Sequence, residues 1–294
     1  MYYLLYVRIW EEDEKSDGNG TECFVRLKIS DQTVEEYLSN VGSVPIPPYL
    51  HRKEEALDKD AYNNTYASNA GSVAAPTAGL HFTKRVLQQI GSENCSYLSL
   101  HVGAGTFKPV MVKDARDHEM HAESFSVSVW ELKSIIKALK RNKPLVVVGT
   151  TSSRTLESLF WCGVKKIHQG GNTTFQDGSL YLGQFDWIPL KVGLGQSSIT
   201  RIEAFEALVD GLQDTDTVHG KTSLMIAPPF YDFQVVDHLV TNFHAPDSTL
   251  MLLVSAFTKD WNGSKIPRIY EDAQSRGYRF LSYGDVCLFS NPIE

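Results

Sequence analysis

Histidines and small or hydroxylic residues are concentrated in one part of this 294-residue chain, between residues 71 and 123. Glycines let backbone N–H groups approach a ligand closely, and the pKa of histidine lies near neutrality, so such a region can bind a polar ligand and move protons. His81 and His101 stand beside its glycine-containing turns. On residue types alone, these two histidines are more often structural than catalytic. Gly103 and Gly105 form a lone G-x-G, which lacks the dinucleotide-binding fingerprint.

The run His-Glu-Met-His-Ala-Glu at 118–123 offers two imidazoles and carboxylates. Its spacing differs from the His-Glu-x-x-His of zinc proteases, which places both histidines on one helix face. Two histidines and a carboxylate can bind a transition metal, but no fourth protein ligand is evident. The alternative is general acid/base chemistry by His121 and Glu123, because a carboxylate raises the pKa of a neighbouring imidazole.

A predicted strand at 145–148 is followed by Gly149 and then by hydroxylic residues that open a helix. A helix N-terminus offers free N–H groups and a partial positive charge, which suits an anionic ligand. Arg154 could add a bidentate contact to a carboxylate. The alternative is that Thr151 or Ser152 only caps the helix. The candidate ligand-binding residues here are Thr150, Thr151, Ser152 and Arg154.

Another compact polar segment is Thr-Asn-Phe-His at 241–244. Asn242 could form hydrogen bonds with a base or a ribose. Core packing is the favoured role for Phe243, although an aromatic ring can also stack on a base. His244 is a candidate for chemistry because it precedes Pro246 in a turn at a predicted helix start.

The elements that must position these residues alternate between helix and strand, which indicates an α/β core. Apolar spacing predicts helices at 84–90 (capped by Thr83), 131–141, 152–161, 202–212 and 249–257, and one opened by Pro267 and ended by Gly277. β-forming residues predict strands at 97–102, 145–148, 224–226, 233–236 and 279–282, and a hairpin from residues 2–10 and 22–29. Residues 169–199 are predicted to form hairpins and loops.

Composition narrows the class of protein. The chain has no run of 18 apolar residues and no basic leader with a cleavage site, so we expect neither a membrane span nor a signal peptide. Four scattered cysteines suit a reducing cytoplasm. The net charge is −7, but residues 71–163 carry 11 basic and 7 acidic side chains. This excess is either a local path for phosphates or an ordinary solvated helix face.

In order and spacing, the segments 71–83, 100–110, 118–123, 148–158 and 241–250 closely resemble the S-adenosylmethionine:tRNA ribosyltransferase-isomerase family of queuosine biosynthesis. The resemblance runs from Ile46 to Asp285 and is poor over residues 164–221. It implies a distorted α/β barrel-like core with a smaller β-barrel domain. On this basis residues 1–45 are a remnant of the β-barrel domain and residues 46–294 form the α/β catalytic domain. The resemblance finds no counterpart of the opening βα portion usual in the family, so we expect this portion to be missing.

The resemblance also implies the chemistry. The ribosyl moiety of S-adenosylmethionine moves onto 7-aminomethyl-7-deazaguanine at the tRNA wobble position, adenine and methionine leave, and no metal is needed. It favours functional roles for the histidines, with the general base unassigned among His81, His101, His121, Glu123 and His244. The residues expected to contact S-adenosylmethionine are Gly103, Gly105, Thr150, Thr151, Ser152, Arg154 and Asn242.

The basic balance of residues 71–163 against the acidic flanks predicts that the tRNA implied by the resemblance lies along this central segment, with phosphate contacts expected from Lys84, Arg85, Lys108 and Arg116. We expect a cytoplasmic protein that is a monomer or a weak oligomer. Three departures from the family pattern are Ala122 in place of serine, Asp247 in place of lysine and Pro228-Pro229 in place of Pro-Gly. They favour an alternative, a shortened, catalytically inactive homologue that binds S-adenosylmethionine or tRNA. A third interpretation is a hydrolase of nucleosides or sulfonium compounds that uses no RNA.

Overall fold

The computed structural model describes residues 2–9, 21–28, 33, 36–37, 40, 42–44, 46–67, 72, 74–102, 112, 114–168, 178–194 and 198–290. For residues 2–9, 21–28 and 48 it describes the backbone alone. The chain divides into two compact units, Met1–Pro45 and Ile46–Glu294.

The first unit contains two antiparallel strands, β1 (Tyr2–Ile9) and β2 (Thr21–Lys28). Tyr2 lies opposite Lys28, and Ile9 lies opposite Thr21. This confirms the predicted strand pairing. The assignment of this unit as the remnant of a β-barrel domain stays a prediction.

The second unit combines helices with two sheets. The helices are α1 (Asp58–Ala61), α2 (Lys84–Ile90), α3 (Val129–Lys140), α4 (Thr150–His168), α5 (Trp187–Leu194), α6 (Arg201–Val209), α7 (Thr249–Phe257) and α8 (Lys265–Ser275). The strands are β3 (Ser99–His101), β4 (Glu123–Ser128), β5 (Val146–Val148), β6 (Leu180–Leu182), β7 (Thr217–Thr222), β8 (His238–Asn242) and β9 (Val286–Ser290). The sheets have the strand orders β3-β4-β7-β6 and β5-β8-β9. The predicted mixed α/β class is confirmed, and the barrel-like arrangement stays a prediction.

Most of helix α4 is buried, which shows that the helix runs through the core. Leu159, Phe160 and Trp161 are almost completely inaccessible to solvent. At Gly163 the helix approaches α6 so closely that a Cβ atom would lie 2.1 Å from the carbonyl oxygen of Ala204. Only glycine allows this packing. The core thus fixes α4, and with it the polar residues in the first turn of that helix.

Local capping signals set several helix ends as predicted. The Thr83 side chain accepts a hydrogen bond from the Val86 N–H, at 3.3 Å, and so caps α2. Helix α8 ends just before Gly277, whose φ is +80°. Pro267 lies in the first turn of α8, where proline is tolerated. Among the described residues, no helix combines the length and apolar character that crossing a membrane would require.

The strand predicted at 233–236 is wrong. The backbone N–H groups of Gln234, Val235 and Val236 all donate to the carboxylate of Glu157, at 2.8–3.3 Å. Because one side chain satisfies these donors, the segment needs no neighbouring strand. Periodicity cannot reveal such a contact.

The strands predicted at 224–226 and 279–282 are also wrong. The strands that form nearby are β7 (Thr217–Thr222) and β9 (Val286–Ser290). The Leu224 N–H donates to the Thr222 hydroxyl, at 3.0 Å. The Arg279 N–H donates to the Asp285 carboxylate, at 2.7 Å, and closes a turn. In both segments other backbone donors bond singly rather than in a ladder, as Met225 N–H does to the Gln184 carbonyl and Leu281 N–H to the Phe243 carbonyl.

The prediction of loops throughout 169–199 is wrong where α5 forms, and residues 169–177 and 195–197 lie outside the described part of the chain. Trp187 is buried, and Leu190 and Leu194 pack against the core beside it. This is i, i+3, i+7 spacing, typical of one helix face.

Candidate functional site

Strands β5 and β8 run parallel, so their carboxyl ends meet at one edge of the sheet. Val148 lies opposite Val240, and the Gly149 N–H donates to the Val240 carbonyl, at 2.8 Å. The polar segments after the two strands are therefore neighbours, although they are far apart in sequence. We call the region formed by residues 77–81, 149–154, 241–244 and 281–284 the strand-end site.

Gly149 forms the turn between β5 and α4. Its φ is +90°, a conformation that favours glycine, and the space where a Cβ atom would lie is open to at least 4 Å. A glycine before the first helical residue has no side chain to cap the free N–H groups of the first turn. Thr150 is buried there, whereas Thr151 and Ser152 are half-buried. The turn thus leaves room for an anion at the helix N-terminus.

Arg154 and Glu123 form a buried ion pair. Nη1 of Arg154 lies 3.1 Å from Oε2 of Glu123, and each side chain is 9% exposed. The buried Nε of Arg154 and the hydroxyl of Ser153 have no hydrogen-bond partner among the described residues. A buried guanidinium with an unused donor is costly, and an incoming anion could accept that hydrogen bond.

Asn242 connects three segments of the strand-end site. Its Oδ1 accepts a hydrogen bond from the Thr77 hydroxyl, at 3.0 Å, and its Nδ2 donates to the Leu281 carbonyl, at 3.3 Å. The side chain is buried. The amide therefore holds residues 77–81 and 281–284 against the end of β8, and its predicted contact with S-adenosylmethionine stays a prediction.

His81 lies at the end of the 3₁₀ helix Thr77–His81 and is exposed. Its Nε2 lies 3.1 Å from the carbonyl oxygen of Gly284. Thr77 thus holds the start of the 77–81 segment at Asn242, and His81 holds the end of that segment at the 281–284 turn.

His244 follows β8 and is partly buried. Its Nε2 lies 2.8 Å from the hydroxyl of Thr241, and its backbone N–H donates to the Tyr270 hydroxyl, at 3.2 Å. Burial disfavours the imidazolium and lowers the pKa of His244 from 6.5 to about 4. The imidazole is therefore neutral at physiological pH.

Phe243, between these two residues, packs in the core as predicted. Its ring stacks on that of Phe280 with centroids 4.7 Å apart and meets the ring of Tyr270 edge-on, at 5.1 Å. These contacts fix the backbone on which Asn242 and His244 are carried.

The other predicted catalytic residues do not all converge. His101 lies opposite Ser124 in the β3–β4 ladder, and directly opposite residues share a face, so His101 lies on the face away from Glu123. His121 is exposed. The structure therefore joins Glu123 to Arg154 and does not bring His101 to that pair.

Several predicted residues lie outside the described part of the chain: Gly103, Gly105 and Lys108. Within the described part, no group of three His, Cys, Asp or Glu residues is arranged to hold a metal ion.

A surface cavity of about 400 Å³ lies at the opposite end of α4, beside Lys165, Asp186 and Leu190, and has no part in the strand-end site.

Sequence reasoning missed Thr77 and Thr241. Thr241 stands three residues before His244, at a spacing that allows a local side-chain contact, so this signal was available. Thr77 contacts Asn242 across most of the chain length, and no local pattern reveals such a pairing.

A family model described as "Queuosine biosynthesis protein" matches residues 2–181 and 191–289. Among curated proteins, the chain is similar to the S-adenosylmethionine:tRNA ribosyltransferase-isomerase of Sulfurihydrogenibium sp. (strain YO3AOP1), with 38% identity over 89% of the chain and 62% of the relative. The protein of the same name from Dichelobacter nodosus is 37% identical over 96% of the chain and 63% of the relative. The chain thus spans about three fifths of the length of the curated relatives it matches.

Among solved structures, the S-adenosylmethionine tRNA ribosyltransferase of Thermotoga maritima matches 72% of the chain and 50% of its own length. Its TM-score is 0.41, with 28% sequence identity.

Proposed function

This chain belongs to the queuosine biosynthesis protein family, and we propose that it acts as an S-adenosylmethionine:tRNA ribosyltransferase-isomerase. It transfers and isomerises the ribosyl moiety of S-adenosylmethionine onto 7-aminomethyl-7-deazaguanine at the tRNA wobble position. The products are epoxyqueuosine-tRNA, adenine and methionine. In this proposal residues 46–294 are the catalytic domain with a barrel-like core, and residues 1–45 derive from a β-barrel domain. The setting is the cytoplasm.

The observation that carries the proposal is the convergence at the strand-end site. The parallel register of β5 and β8 and the bond from Thr77 to Asn242 unite three of the polar segments that carry the resemblance. In open α/β sheets, ligands bind outside the carboxyl ends of the strands. A site at this edge is therefore where the fold would place a small substrate.

The methionyl carboxylate of S-adenosylmethionine would bind at the first turn of α4. The N–H groups after Gly149 and the unused Nε of Arg154 offer donors to an anion. Glu123 already contacts Nη1 of Arg154, so it would orient the guanidinium while the remaining donors serve the ligand. A buried, pre-oriented guanidinium loses little entropy when the ligand arrives.

The reaction itself needs proton transfer, positioning and stabilisation of developing charge. The sulfonium acidifies the neighbouring ribose carbon, so a base can remove its proton. No metal or redox cofactor takes part in this proposal. Fixed dipoles and oriented side chains supply the stabilisation.

The test is incubation of the chain with S-adenosylmethionine and tRNA that carries 7-aminomethyl-7-deazaguanine, followed by mass spectrometry of the nucleosides. We expect epoxyqueuosine together with one equivalent each of adenine and methionine. Two matched controls should give no product: tRNA with guanine at the wobble position, and S-adenosylhomocysteine, which lacks the sulfonium. Binding of both substrates without product would favour the inactive-homologue alternative.

We propose that tRNA phosphates contact Lys84 and Arg85 at the start of α2. Both side chains are exposed, and neither forms an ion pair with a described residue. Arg116, also a predicted contact, pairs instead with Asp114, which offsets its charge. Of the candidate phosphate contacts that the structure describes, the proposal therefore keeps Lys84 and Arg85 and leaves out Arg116.

This path is tested by the salt dependence of tRNA binding. The variants Lys84→Gln and Arg85→Gln should each reduce the slope of log K against log salt by about 0.7–0.9. Arg116→Gln is the matched control and should change the slope less. Equal slopes in all three variants and the unsubstituted chain would place the tRNA elsewhere.

A further inference from the structure

His81 and His244 lie at the same site, but the partners of their Nε2 atoms differ in kind. His81 Nε2 faces a backbone carbonyl, and His244 Nε2 faces a hydroxyl. A neutral imidazole carries one proton and one free lone pair, so each partner selects a tautomer. The two histidines therefore carry their ring proton on different nitrogen atoms.

At His81 the tautomer follows from the partner alone. The carbonyl oxygen of Gly284 can only accept a hydrogen bond, so Nε2 must carry the proton and donate. The lone pair of the neutral ring is then on Nδ1. His81 is exposed, so this lone pair can accept a proton from a substrate.

At His244 the tautomer follows from burial. Thr241 is 1% exposed, and its hydroxyl proton must find an acceptor inside the protein. His244 Nε2, at 2.8 Å, is the acceptor that the described structure provides. Nε2 therefore accepts, and the ring proton is on Nδ1.

His244 consequently has no lone pair available to a substrate. Nε2 is occupied by the Thr241 hydroxyl and Nδ1 is protonated, so the ring can only donate a hydrogen bond. The low pKa of His244, about 4, agrees with this role because the ring then stays neutral at working pH.

We propose that Thr241 is a positioning residue that fixes His244 as a hydrogen-bond donor, and that His81 accepts the substrate proton. This inference rests on the proposed function. In the step, the C–H bond of the ribose carbon next to the sulfonium breaks, the proton moves to Nδ1 of His81, and the electron pair stays on that carbon. His244 donates through Nδ1–H to the bound substrate.

The tautomers are measured without any substrate, by long-range ¹H–¹⁵N NMR of the chain labelled with ¹⁵N-histidine. The spectra are recorded above the ordinary histidine pKa of about 6.5, with His81→Gln and His244→Asn used for assignment. We expect the Nε2–H form at His81 and the Nδ1–H form at His244. Thr241→Val should remove the preference at His244, and Thr241→Ser should keep it. An Nε2–H form of His244 in the unsubstituted chain overturns the proposal.

Kinetics then separate the two histidines, because each variant keeps one hydrogen-bond donor. Glutamine at position 81 can still donate to Gly284 but has no basic nitrogen, so His81→Gln should lower kcat by about 10²–10⁴-fold with an unchanged KM for S-adenosylmethionine. Asparagine at position 244 retains a donor in place of Nδ1–H, so His244→Asn should lower kcat by less than about tenfold. The reverse order of effects overturns the proposal.

The two tests also keep this inference distinct from the proposed function. The predicted tautomers without any ribosyl transfer would refute the function alone. Product formation with the opposite tautomers would refute the roles assigned to Thr241, His81 and His244 alone.

Discussion

Helix α4 carries two buried charges, Arg154 and Glu157, which lie three residues apart and have different surroundings. The carboxylate of Glu157 accepts hydrogen bonds from the Tyr231 hydroxyl and from three consecutive backbone N–H groups. Arg154 contacts Glu123 through Nη1, while its buried Nε has no partner among the described residues.

The difference distinguishes a structural charge from one that can serve a ligand. Burial raises the pKa of Glu157, and its hydrogen bonds oppose that rise, so its environment is complete without any ligand. The surroundings of Arg154 are incomplete, since its buried Nε has no partner among the described residues, and Arg154 lies near the start of the helix that begins at Thr150, just after Gly149. A buried network that is fully satisfied rigidifies the fold, whereas an unused donor favours binding.

The largest effect should come from removing the satisfied charge. Glu157→Ala leaves the three N–H groups of residues 234–236 and the Tyr231 hydroxyl without their acceptor, so we expect a loss of about 3–5 kcal/mol in the free energy of unfolding. Urea denaturation measures this loss.

The matched control is Glu206→Ala. Glu206 is 45% exposed and pairs with Lys140 on the surface, so this variant should lose no more than about 1 kcal/mol. Equal losses in the two variants would remove the contrast between a buried network and an ordinary surface pair.

The sequence predicts the elements that depend on local patterns. Helices α2, α3, α4, α6, α7 and α8 follow from apolar spacing and caps such as Thr83. Strand propensity fails at 233–236 because the backbone donors of residues 234–236 are satisfied by Glu157, a residue distant in sequence. Such tertiary contacts override strand propensity.

A second, smaller effect concerns His244, which lies in the strand-end site together with Arg154. Its pKa is about 4 in the folded chain against 6.5 in the reference state. Between these values the unfolded chain binds more protons, so the free energy of unfolding falls as the pH drops from 6.5 to 4. The loss is at most about 3 kcal/mol.

The variant His244→Asn cannot bind this proton and should lose that much less stability over the same pH range. Other titrating groups affect both proteins alike, so the difference between the two curves isolates His244. Parallel curves from pH 6.5 to 4 would contradict a buried, neutral imidazole.

The sequence also indicates the strand-end site, but only in outline. The residue types of the turns after β5 and β8 predict a polar site there, with Arg154 and His244 among its candidate residues. The pairing of Arg154 with Glu123 and of Asn242 with Thr77 comes from the tertiary packing of distant segments. The roles of His81 and His244 depend on the atoms opposite Nε2, which residue spacing does not specify.

The central claim is that the incompletely satisfied guanidinium of Arg154 binds the carboxylate of S-adenosylmethionine. Its most direct test is calorimetric titration of the chain and its Arg154→Lys variant with S-adenosylmethionine. Lysine keeps a charge for Glu123 but lacks Nε and the planar fork. We expect binding to weaken by about 1.5–3 kcal/mol, while Arg268→Lys, at an exposed position, leaves the affinity unchanged. Equal affinities for Arg154→Lys and the unsubstituted chain, with both folded, would contradict the claim.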